Sequence, residues 1–122
     1  MHLQEGHQVV MPYLILPNAI QFFDFVEKVF GGKETGRFLD EEKSLRHGEV
    51  NIGGSTIMFG NSSEQWPAQP AGLYINVEKA DEAFRKALAN GATVVQELSD
   101  KEYGRTGGVK DPFGNTWWIT QS

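Results

Sequence analysis

The sequence predicts an α+β fold of two βαβββ modules, curved mixed sheets arranged around a cleft. Three observations predict it. The chain of 122 residues carries 14 glycines, which favours many tight turns over a helical bundle. Hydrophobic periodicity gives the order strand, helix, three strands, and then gives the same order again. A polar stretch from Asn61 to Pro70, with prolines at 67 and 70, separates the two runs.

In the first run, Gln8 to Leu16 is rich in Val, Ile, Leu and Tyr and reads as a strand. Pro17-Asn18 breaks it, and Asn18 is placed to cap a helix over 18–30. Ile20, Phe23, Val26 and Phe30 fall on one face of that helix, and Gly31-Gly32 ends it. Lys33 to Leu39, Leu45 to Ile52 and Ser55 to Gly60 read as strands. Asp40-Glu41-Glu42-Lys43 forms a charged turn, and Gly53-Gly54 a two-residue hairpin.

In the second run, Gly72 to Val77 is a strand. A helix over 79–90 places Ala80, Ala83, Phe84, Ala87 and Leu88 on one face, closed by Gly91. Thr93 to Leu98, Arg105 to Lys110 and Thr116 to Gln121 follow as strands, the last two joined by the turn Asp111-Pro112-Phe113-Gly114-Asn115. An offset of 60 residues pairs Gly31 with Gly91, Phe23 with Ala83 and Ile20 with Ala80. The reading is one domain over 1–122, with modules at about 8–60 and 71–121.

Composition excludes several function classes. Net charge is −5, and Lys and Arg form no basic face of the kind that binds nucleic acid by counterion release. There is no cysteine, hence no disulfide, thiolate nucleophile or thiolate metal site. No apolar run approaches the roughly 20 residues of a membrane span. The first residues lack the basic and apolar regions of a signal peptide. The expectation is a cytoplasmic protein with no nucleic-acid or membrane partner.

Three stretches carry a family resemblance. They are Pro12-Tyr13-Leu14-Ile15-Leu16 with the Phe-rich helix ending Val29-Phe30-Gly31-Gly32, then Leu45 to Ser55, then Tyr103-Gly104-Arg105-Thr106-Gly107-Gly108-Val109-Lys110 followed by Asp111 to Trp117. With Ala89-Asn90-Gly91-Ala92, they resemble the vicinal-oxygen-chelate superfamily (glyoxalase, bleomycin resistance protein, dioxygenase), and within it the PhnB-like subgroup. Metal-binding members hold a divalent ion with about four His or Glu side chains from the first and fourth strands of each module. Carried over, those positions fall here on Met11, Gly72 and Trp118, while Ser55 to Gly60 contains no His, Asp or Glu. Met and Trp do not replace imidazole or carboxylate donors. The resemblance therefore implies a metal-independent binder, with no cofactor expected and a divalent metal possible.

Strand alternation selects candidate site residues. Val50 and Ile52 face the helix, so His47, Glu49 and Asn51 face the cleft. His47 and Glu49 stand about 7 Å apart along one strand face. They suit a base with its orienting carboxylate, two ligands of an unorthodox metal site, or solvated rim residues. By the same phase Met11, Tyr13, Tyr74, Asn76 and Trp118 face the cleft, where aromatic rings stack on a flat ligand, fill the space themselves or meet a second subunit. Leu14, Leu16, Leu73, Ile75, Val77, Trp117 and Ile119 pack under helices. Arg105 either grips a ligand anion or forms a salt bridge with an acidic neighbour. Tyr103 beside it is counted with the ligand-binding set. His2 and His7 lie in an end expected to be mobile and are set aside as ligands.

Three functions are compatible with these residues. The first is a metal-independent protein binding an aromatic or amphipathic small molecule. The second is a lyase, isomerase or dioxygenase-like enzyme using His47 and Glu49. The third is an interaction module with a filled cleft. An open apolar cleft also implies a homodimer, since large apolar patches are uncommon on monomers and two-fold pairing is the commonest symmetry.

Overall fold

The computed structural model describes residues 1–122. β1 (Tyr13–Leu16), a single 3-10 turn (Ala19–Gln21), α1 (Phe22–Phe30), β2 (Lys33–Leu39), β3 (Leu45–Ile52) and β4 (Ser55–Asn61) form the first module. β5 (Gly72–Asn76), α2 (Ala80–Ala89), β6 (Thr93–Lys101), β7 (Gly104–Lys110) and β8 (Thr116–Gln121) form the second. The sheets have strand orders β1-β4-β3-β2 and β5-β8-β7-β6. In each, the first strand runs parallel to the last and the other pairings are antiparallel. The doubled βαβββ architecture is thus the one the order of elements predicts.

Several local expectations are corrected. β1 begins at Tyr13, not Gln8, because residues 8–12 leave the β1–β4 ladder. There the Gln8 side-chain amide bonds the backbone of Thr56 in both directions. Met11 therefore lies outside the strand and is half-buried. Asn18 adopts a left-handed conformation and its side chain caps nothing. The Ala19 amide donates instead to Asn61 Oδ1 at the end of β4, and the Ala80 amide donates to Gln121 Oε1 at the end of β8. Each helix entry is thus tied to the last strand of its own module by an amide side chain. Ile20 and Leu88 are exposed rather than buried. The 3-10 turn shifts the face of α1, so that Phe22, Phe23, Phe25, Val26 and Val29 carry the burial.

The modules join through their helix sides. α1 packs on α2, and the Phe22 and Phe30 rings lie 6.4 and 4.6 Å from Trp117 of β8. Phe22 also meets Phe59 and Phe113 edge-on. Such aromatic pairs contribute about 0.5–1.5 kcal/mol each beyond area burial. Leu14, Leu16, Val50, Phe59, Val109, Trp117 and Ile119 belong to this one buried cluster.

The turn into β8 is held by Asp111. Its carboxylate, 4% exposed, accepts from the Phe113 and Asn115 amides, Asn115 Nδ2 and Trp117 Nε1. This explains why an acidic residue is buried there.

Candidate functional site

The sheet faces turned away from the helices are the open ones. On the first sheet, pairing of Tyr13 with Met58 and of Met58 with Glu49 sets three side chains in one row. Gly60 and His47 lie in the next. Gly60 has no room for a Cβ, which would stand 2.8 Å from the Arg46 carbonyl. The Tyr13 hydroxyl lies above it, 3.5 Å from that Cβ position.

These residues form a continuous polar chain. Tyr13 Oη lies 3.2 Å from His47 Nδ1, His47 Nε2 lies 2.8 Å from Glu49 Oε2, and Glu49 Oε1 lies 2.7 Å from His7 Nε2. Burial pushes the Glu49 carboxyl up. Hydrogen bonds from His47 and His7 outweigh that and hold it below its ordinary value. An ionised carboxylate only accepts, so both histidines donate from Nε2. In the neutral imidazole, His47 Nδ1 is then left to accept the Tyr13 O–H. Gly36, opposite Glu49 on β2, leaves the carboxylate's flank free of a side chain.

His7 is the residue that sequence reasoning missed. It is part of the site, not a free end, because the N-terminal segment folds back across β3 and β4. The Thr56 hydroxyl donates to the Gly6 carbonyl, and Gln8 brackets the Thr56 backbone. Only a contact across 42 residues signals this, and local pattern does not carry it.

Beside the chain opens a cavity of about 560 Å³ lined by Tyr13, Ile15, Leu45, Asn61, Ser63 and Trp66, among others. The Trp66 ring, 60% exposed, stands at its border. A tight turn holds Trp66 there: its amide donates to Ser63 Oγ and its carbonyl accepts from the Ser63 amide. Trp66 and Leu45 are further residues absent from the expected set. The linker reads in sequence only as a polar spacer, and the half-turn that returns Trp66 to the sheet leaves no periodic signal.

The second sheet holds the other candidates. Tyr74, 58% exposed, and Asn76 lie on its open face. Trp118 lies flat on Gly108, where a Cβ would come within 2.5 Å of the ring. Tyr103 is exposed in the turn between β6 and β7. Of its two readings, Arg105 takes the salt bridge. Its guanidinium pairs both carboxylate oxygens of Asp81 on α2 at 2.9 and 3.1 Å and reaches Asp100. The Arg105 hydrogen bond holds the Asp81 carboxyl below its ordinary value. The candidate residues of the two halves do not line one cavity. No cavity is lined by both His47 or Glu49 and Tyr74 or Trp118. The physical reason is that the modules bury their helix sides together, which turns both open faces outward.

The donor set does not fit the divalent metal of this fold. Met11, Gly72 and Trp118 supply no suitable donor, β4 has no His, Asp or Glu, and no three ligating side chains converge. His7, Glu49 and His47 bond one another in a line instead.

Paired βαβββ sheets with an open, polar-and-aromatic face define a glyoxalase-type fold. The chain belongs to the Glyoxalase/Bleomycin resistance protein/Dioxygenase superfamily, whose model matches residues 8–119. An uncharacterized protein of Mycobacterium tuberculosis, Rv0887c, is 31% identical over 98% of this chain and 82% of its own. A PhnB protein from Bacillus cereus shares the fold with a TM-score of 0.74 at 17% identity, covering 94% of this chain and 100% of that one. TnmS3, an antibiotic binding protein from Streptomyces sp. CB03234, does so with a TM-score of 0.68 at 17% identity, covering 94% and 98%. At these identities the likeness to both solved structures is one of fold. No helix is long and apolar enough to cross a membrane.

Proposed function

We propose that this protein is a metal-independent binder of a neutral aromatic or amphipathic small molecule, held on the open face of the first sheet. The observation that carries this reading is the cavity bordered by Tyr13 and Trp66. Its volume falls in the usual range for ligand pockets, roughly 300–1,000 Å³. Its apolar wall is Ile15 and Leu45, its aromatic borders are Tyr13 and Trp66, and its polar groups include the Ser44 and Ser63 side chains. A net charge of −5 favours neutral or cationic ligands over anions. That a neighbour of the same fold binds an antibiotic guides the choice of compounds, since at this identity the likeness is one of fold. A second copy of the chain covering the exposed faces, and a cytoplasmic setting, complete the reading.

The test is a thermal-shift and tryptophan-fluorescence screen of neutral aromatic compounds, including 2-naphthol, with and without EDTA. A saturable rise in melting temperature that EDTA leaves unchanged, and that Trp66→Ala weakens by about tenfold or more in affinity, supports the proposal. A rise that appears only with added divalent metal, or no binding across the panel, overturns it.

A further inference from the structure

Two opposite charges stand unpaired in the cavity beside Tyr13. Arg46 and Asp40 both line it and both are exposed. Neither takes part in any ion pair of the chain, whereas Arg37 and Arg105 are each matched by a carboxylate. Local structure fixes the two residues. Asp40 opens the turn between β2 and β3, and its Oδ1 accepts the Glu42 and Ser44 amides at 2.9 Å each. That Asx-type turn leaves Oδ2 without a partner. Beyond the turn the two strands fall out of step, since Phe38 pairs with His47 and Leu39 with Leu45. Arg46 is therefore the extra residue of a β-bulge, the feature by which a sheet re-aims a side chain.

The uncharged groups of the cavity divide in the same way. With its proton given to neutral His47, the Tyr13 hydroxyl offers the cavity a lone pair. Ser63 Oγ accepts the Trp66 amide, which leaves its own hydroxyl proton to donate. Acceptors (Asp40, Tyr13) and donors (Arg46, Ser63) thus share one cavity with the Trp66 ring. A ligand with a single charge satisfies one of the two ions and strips water from the other, which costs binding energy. A ligand carrying both charges satisfies both and has no net charge to set against that of the protein. From these positions we infer that the ligand is an aromatic zwitterion, a ring bearing a carboxylate and an ammonium group, with the carboxylate on Arg46 and the ammonium on Asp40 and Tyr13. The planar guanidinium fork suits a carboxylate in two parallel hydrogen bonds. The inference rests on the binding proposal and narrows its ligand class.

The experiment titrates the whole protein at pH 7 with probes that share a phenyl ring and differ in charge, read by Trp fluorescence. L-Phenylalanine carries both charges, phenethylamine lacks the carboxylate, 3-phenylpropanoate lacks the ammonium, and 2-phenylethanol lacks both. The expected result is that L-phenylalanine binds at least about fivefold more tightly than each of the others. Arg46→Gln should weaken L-phenylalanine and 3-phenylpropanoate and leave phenethylamine unchanged, and Arg46→Lys should restore part of the loss. Asp40→Asn keeps an oxygen for the Glu42 and Ser44 amides, so the turn stays. It should weaken L-phenylalanine and phenethylamine and leave 3-phenylpropanoate unchanged. No binding of L-phenylalanine, equal binding of all the probes, or variants that weaken every probe alike overturns the inference. If 2-naphthol still binds in that case, the binding proposal stands and only the zwitterion falls. Loss of 2-naphthol binding as well defeats both.

Discussion

Glu49 gives the sharpest residue-scale prediction. Its carboxyl is held below the ordinary glutamate value of 4.5. A group whose folded pKa is depressed stabilises the fold above its unfolded value and loses that contribution as pH falls through the folded one. The His7–Glu49–His47 connection should therefore come apart only as pH falls below the ordinary glutamate value. Carboxyl ¹³C NMR should give a Glu49 midpoint below 4.5, and the amides of His7 and Gln8 should lose exchange protection over the same interval. A midpoint at or above the ordinary value would mean that desolvation wins. Glu49→Gln at pH 7 should cost about 1 kcal/mol, the scale of a partly exposed charge-assisted bond. His47 and Glu49 were legible as a same-face pair because strand alternation fixes their side. His7 was not, because its partner is set by the path of the chain rather than by any local pattern. Arg105 was legible only as two alternatives, and Asp81 on the helix side decided between them.

At the scale of the elements, glycines and amides carry the fold's constraints. Gly48→Ala would place a Cβ within 2.9 Å of both Phe59 and Phe23 ring atoms, and Gly108→Ala would strike Trp118. Each should cost about 1–3 kcal/mol by overpacking, measured as a lower urea midpoint. Gly108→Ala should in addition shift the Trp118 indole resonance. Asn61→Ala and Gln121→Ala should each lose about 1 kcal/mol by leaving a helix-entry amide without its acceptor. Asp111→Ala should be worse, about 3 kcal/mol or more, because four donors lose one buried acceptor. The offset of 60 that pairs Gly31 with Gly91 also pairs Asn61 with Gln121. The repeat of function was therefore present in the sequence. It stayed hidden because two amides at strand ends look like ordinary surface residues until the helix entry they serve is seen. Helix positions were read to within a turn. Ile20 and Leu88 were misassigned because the 3-10 entry and the helix ends rotate side chains away from the 3.6-residue phase.

At the scale of the whole molecule, the doubled module was legible from element order and from the spacing of its turns, while the relation between the modules was not. Periodicity tells which strand face meets a helix. It does not tell whether two modules share their helix sides or their open sides, and here they share the helix sides through Phe22, Phe30 and Trp117. Both open faces, with Tyr13 and Tyr74 more than half of the way out of the protein or close to it, then call for a cover. Light scattering at micromolar protein should give about twice the chain mass of 13.6 kDa, and a monomer mass down to the lowest and up to the highest concentrations would leave the faces to ligand and water alone. The central claim, a metal-free ligand site on the open face of the first sheet, is tested most directly by amide and indole NMR of the EDTA-treated protein titrated with 2-naphthol. The account predicts saturable shifts clustered at Tyr13, Leu45, His47, Gly60, Ser63 and the Trp66 indole. Shifts confined to Tyr74, Asn76 and Trp118, or shifts that appear only when a divalent metal is restored, would contradict it.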